Sequence, residues 1–119
     1  MTDNFLLTYS VSHIGHDLDK QKSDSVRDSI RLLTQNKLSA LSSSIISWEK
    51  LSNVETAIKG CLELTGTCDC DKQKNAQAII EKVFTHVLED KEATQFTTEI
   101  QCVMLIGNAG SSFEFVVTN

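Results

Sequence analysis

The chain has 119 residues, with 40% hydrophobic and 23% charged side chains and a formal net charge of −5. That length fits one domain, and the composition is that of a folded protein, excluding a disordered chain; a core of this size needs no disulfide or metal staple. The acidic balance, with Arg27 and Arg31 as the only arginines, argues against a partner held by its phosphate backbone.

Residues 5–13, FLLTYSVSH, alternate. Phe5, Leu7, Tyr9 and Val11 share one face, while Leu6, Thr8, Ser10 and Ser12 share the other, which predicts a strand. Gly15 then breaks the pattern. Val26, Ile30 and Leu33 recur at helical spacing after Ser23 or Ser25, either of which suits an N-cap. A helix is expected over 24–35, ended by Asn36. Residues 38–48, LSALSSSIISW, suit a second strand, drawn into a sheet by Ile45, Ile46 and Trp48.

Residues 51–64, LSNVETAIKGCLEL, support two readings. With period two, Val54, Thr56, Ile58, Leu62 and Leu64 share a face; with a helical period, Leu51, Val54, Ile58, Cys61 and Leu62 form a stripe. Ser52 with Glu55 makes a capping box and tips the reading to helix, with a strand paired to residues 40–48 as the alternative. TGTCDCDKQK at 65–74 reads as a polar loop. From Asn75, a possible cap, the residues Ala76, Ile79, Ile80, Val83, Phe84, Val87 and Leu88 keep helical spacing and predict a helix over 75–90. Ile100, Cys102, Met104 and Ile106 alternate, as do Phe113, Phe115 and Val117; GNAGSS between them marks a hairpin. The order predicts a single α+β domain over 1–119: a ferredoxin-like sandwich, mostly antiparallel, with two or three helices on one face of the sheet. Such a sheet leaves its other face bare, where a second copy could sit.

The N-terminus has no basic segment followed by a long apolar run, and the run Cys102–Ile106 is too short to span a bilayer. The expectation is a cytoplasmic protein with reduced cysteines and no membrane partner. In SHIGHDLDK, the residues His13, His16, Asp17 and Asp19 offer imidazole and carboxylate groups suited to a divalent metal. The simpler reading is a solvated loop whose carboxylates favour the N-terminus of the coming helix. Cys68 and Cys70 stand closer than the spacing of about two to four residues that a zinc knuckle uses. They lack the two intervening residues of a thioredoxin-type motif, which leaves a loop with exposed thiols. Cys61, Cys102 and Met104 read as packing residues, and His86 as an ordinary helix residue. Tyr9 and Trp48 are candidates to line a small-ligand pocket between sheet and helices. No glycine-rich phosphate loop and no nucleophile elbow occurs, and nothing in the composition calls for a cofactor.

The segments LLTYSV at 6–11, SVRDSIRLL, SSSIISW, NAQAIIEKVFTHVL and VMLIGNAG follow one another in an order that resembles the small CRISPR-associated ferredoxin-like nucleases and their toxin–antitoxin relatives. The resemblance implies a homodimer. Active members of that family place a metal-binding aspartate at the end of the first strand; Ser10 stands at the matching position. Three functions follow as expectations. The first is a non-catalytic homodimeric interaction or accessory protein of antitoxin, immunity or adaptor type. The others are a small-ligand-binding domain and a metal-dependent nuclease.

Overall fold

The structure is a computed structural model that describes residues 2–15, 20–51 and 56–119. In chain order these residues form β1 (Thr2–His13), α1 (Lys20–Arg31), α2 (Gln35–Leu41), β2 (Ile45–Lys50), β3 (Ala57–Glu63), α3 (Asp69–Asp90), β4 (Thr98–Ile106) and β5 (Phe113–Val117). The strands make one sheet in the order β2-β3-β1-β4-β5, antiparallel at every junction. Two interleaved crossovers generate this order. α1 and α2 carry the chain from β1 past the β3 position to β2, and α3 carries it from β3 past β1 to β4. The first four strands therefore follow the ferredoxin-like plan. β5, added beyond β4, makes the sheet wider than that plan and sets its order apart from the strict form.

Alternation decides which face of the sheet is covered. Phe5, Leu7, Tyr9 and Val11 of β1 and Ile100, Cys102, Met104 and Ile106 of β4 are all buried, and the residues between them point the other way. Val26 and Ile30 of α1, Leu38 of α2, and Ile80, Val83, Phe84 and Leu88 of α3 close over that face in one contiguous cluster. Each such aliphatic or aromatic side chain contributes about 1.5–3 kcal/mol when fully buried, so this face dominates the stability.

Several expected boundaries move. The first helix spans 20–31, not 24–35. Ser23 lies inside it, buried, and its hydroxyl serves tertiary contacts, not a cap. The second strand is only Ile45–Lys50; of the expected 38–48 strand, residues 38–41 belong to α2 and 45–48 to β2. Thr34 is the N-cap of α2, accepting from the Lys37 N–H, and Asn36 lies within that helix instead of ending the previous one. Leu38 anchors α2 in the core, and the helix ends at its C-cap Ser42, where the serine run begins.

Within 51–64 the strand reading prevails over the helical one for β3. Ile58 and Leu62 are fully buried, while Cys61 pairs with Asn4 on the other face of the sheet. The capping residues Ser52 and Glu55 lie outside the described residues. The last helix begins at Asp69, not at 75, so Cys70 is helical and Cys68 is its N-cap residue. Asp69 and Asp71 complement the positive end of its dipole. Asn75 is therefore internal, and its Oδ1 accepts from the Thr65 N–H at 3.0 Å. The final hairpin matches expectation. Asn108 and Gly110 take positive φ in its turn, and Gln73 of α3 donates to the carbonyls of Ala109 (2.8 Å) and Ser111 (3.0 Å), holding the turn against the helix.

Gly60 is the tightest point of the sheet. A Cβ there would lie 2.0 Å from the Ser47 carbonyl oxygen and 2.9 Å from a Phe5 ring carbon. The missing side chain lets Trp48 lie across β3 with its ring centroid 6.0 Å from that of Phe5, next to a β-bulge between Ile45 and Ser47. Gly60→Ala is expected to destabilise the protein by about 1–3 kcal/mol in urea titrations, because the contact is with backbone. Gly107→Ala, where the nearest atom would be 3.7 Å away, is expected to shift stability by less than about 0.5 kcal/mol.

Candidate functional site: the bare face of the sheet

Among the described residues, those singled out in the sequence lie in separate parts of the fold. His13 ends β1, and its Nδ1 lies 3.3 Å from the Ser23 hydroxyl, which is 2.8 Å from the Thr98 hydroxyl in the core. Ser23 also donates to the Thr97 carbonyl. This chain of contacts ties the end of β1, α1 and the start of β4 together, a structural task for the imidazole. His16, Asp17 and Asp19 lie outside the described residues. Among the described residues no group of three or more His, Cys, Asp or Glu side chains is placed to hold a metal ion.

Tyr9 is buried, its ring edge-on to Phe84 with centroids 5.8 Å apart. Trp48 packs on Phe5 instead, on the row where Gly60 pairs with both. That row is four residues from Tyr9 along β1, about 13 Å, so the two rings sit in different parts of the core. Cys68 and Cys70 are exposed at the start of α3. His86 borders a depression of about 530 Å³ among the helices, floored by Leu33, Leu41 and Val87.

The buried thiol of Cys102 is pushed up from an ordinary 9.0 to about 12, first by its burial and second by the Glu81 carboxylate. A thiol held protonated in this way is a packing residue, not a nucleophile.

The outer face of the sheet is the surface that the helices leave open. Its centre is apolar: Leu6 (40% exposed) pairs with Leu105 (44%), and Val103 (39%) and Val116 (52%) lie beside them on β4 and β5. Thr8, Ser10 and Gln101 continue the centre as small or uncharged groups. With Val103, Glu114 and Val116 they line a shallow depression of about 530 Å³. The charges stand around this centre. By register, Glu63 on β3, Glu99 on β4 and Glu114 on β5 all face outward. Glu49 on β2 and Lys59 on β3 pair with each other at 3.8 Å, both more than half exposed. An exposed pair of this kind contributes at most about 1 kcal/mol.

An apolar centre with a polar rim is the anatomy of a protein interface. The rings of Phe5, Tyr9 and Phe115 are on the buried side, so none of them offers the stacking surface that sheet faces reading single strands use. The signal for this face was present in the sequence. The alternation that sends Phe5, Leu7, Met104 and Ile106 inward must send Leu6, Val103 and Leu105 outward, yet hydrophobic residues off the core stripe were not read as a site.

Comparison with protein-family models, curated proteins and solved structures finds no match for this chain.

Two outcomes check the cysteine assignments. In the folded protein Cys68 and Cys70 are expected to react readily with a thiol reagent, with Cys102 labelled only after unfolding. Because the folded-state value for Cys102 is raised, its contribution is fully present below pH 9.0 and is lost as pH rises toward about 12. The fall in stability over that window should be shallower in Cys102→Ala, measured by denaturant titration at each pH.

Proposed function

We propose that this chain is a non-catalytic, homodimeric interaction protein that engages a protein partner through the outer face of its sheet. The observation that carries the reading is the contiguous apolar centre of Leu6, Val103, Leu105 and Val116 on an otherwise well-packed α+β domain. Five strands about 4.8 Å apart, over seven residues of about 3.4 Å each, span roughly 570 Å² in projection. That approaches the area of about 800 Å² per partner that a standard interface buries. A helix-covered sheet does not need exposed leucine and valine for its own stability, and monomers seldom retain such a patch without a use for it.

The homodimer is best supported by the sheet edges. The β2 edge carries a bulge, Glu49 and Lys50, and the Lys50 ammonium donates to the Arg31 carbonyl at the end of α1; these features discourage pairing. β5, Phe113–Val117, has no bulge and a single charge, Glu114. Two β5 strands paired antiparallel about a two-fold axis at Phe115 would set Glu114 of each copy opposite Val116 of the other, with no like charges facing.

Light scattering at about micromolar concentration is expected to show a dimer. The dimer should survive the double substitution Val103→Asp with Leu105→Asp, because edge pairing does not use that face; dissociation would point to face-to-face stacking. Incubation with RNA or DNA and Mg²⁺ or Mn²⁺ is expected to give no cleavage. Cleavage that disappears in His16→Ala or Asp17→Ala would overturn the non-catalytic reading.

A further inference from the structure

The outer face also has a charge signature, and it narrows the partner. We infer that its occupant is a cationic amphipathic protein segment, one whose apolar side chains cover Leu6, Val103 and Leu105 and whose lysine or arginine enters the depression beside Glu114. This inference rests on the interface reading of the same face.

Charge complementarity carries it. Glu49, Glu63, Glu99 and Glu114 lie on four different strands around the apolar centre, against one lysine, Lys59, which already pairs with Glu49. A second copy placed on this face would oppose carboxylates to carboxylates, a mismatch that excludes wrong partners at interfaces. Anionic lipid and nucleic acid meet the same repulsion. A cationic segment instead meets carboxylates at Glu63, Glu99 and Glu114, while Lys59 beside Leu6 is offset by Glu49.

Distance decides which carboxylate matters most. Screening extends over about 8 Å at physiological salt, so carboxylates at opposite edges act separately and not as one field. Glu114 is the one that pairs directly with a residue of the apolar centre, Val103, across β4 and β5. Its neighbours in the depression are Val103, Val116, Thr8, Ser10 and Gln101. That lining fits a long cationic side chain: the aliphatic stem lies on the two valines, and the charged head reaches the Glu114 carboxylate and the Gln101 amide oxygen. Arginine, with its flat fork of donors, suits such an anchor better than lysine.

The test uses a random dodecapeptide library selected on the whole wild-type protein, with enriched peptides resynthesised and their affinities measured. Enrichment of peptides combining lysine or arginine with leucine, isoleucine or an aromatic residue is expected. Their affinity should fall about tenfold or more with Glu114→Lys and with the double substitution Val103→Asp and Leu105→Asp, and should weaken as salt is raised. Neutral or acidic peptides that lose binding with the double substitution but not with Glu114→Lys would overturn the cationic partner and leave the interface standing. Peptides insensitive to every substitution on the face, or no enrichment at all, would overturn the interface reading as well. Circular dichroism of each variant, matched to wild type, separates loss of binding from loss of fold.

Discussion

The structure depends on a one-sided sheet. The central strands β1 and β4 alternate without interruption, so ten side chains of one parity are buried and the opposite parity is committed to the outside. All three described helices pack on the same side. The hydrophobic free energy gathered there is large enough to override local preference elsewhere. It holds residues 35–41 as a helix because Leu38 can reach the core, and it draws residues 57–63 into the sheet despite a glycine.

The same constraint creates the surface proposed above as an interface. Two interleaved crossovers place every helix on one face, and no segment of the described chain returns to cover the other. A sheet left bare is compatible with solubility when its surface is polar. Here the rim is, but the centre is not. Leucine and valine at a solvated sheet centre are costly to solubility and add little to stability, and the protein binding proposed above would account for them. In the proposed interface the acidic frame adds selectivity more than affinity, since charges screened beyond about 8 Å act one by one, each disfavouring a partner group of the wrong sign.

Sites expected from residue type fared differently from the site defined by position. The histidine at the end of β1 has become part of a polar tie among His13, Ser23 and Thr98, and Tyr9 and Trp48 are separate core aromatics. Titratable or aromatic residues attract attention in a sequence because their chemistry is intrinsic. An interface built from leucine, valine and glutamate has no intrinsic chemistry to read. It exists only as an arrangement, and the residues forming it come from strands separated by more than a hundred residues of chain.

The sequence by itself determined the α+β class, the inward faces of β1, α3, β4 and β5, and the turn between the last two strands. Those features rest on short-range periodicity and on residues with special backbone freedom, such as Asn108 and Gly110. Tertiary structure decided the rest. Helix α2 forms because its leucines, lysine, glutamine and alanine favour a helix and because Leu38 is buried in the core. β3 is a strand because Ile58 and Leu62 are buried in the core, and Gly60 permits the close approach of the Ser47 carbonyl and the Phe5 ring, a contact that no local pattern encodes. The apolar centre and its four carboxylates meet through strand order and register, both set by which pairings bury the most surface.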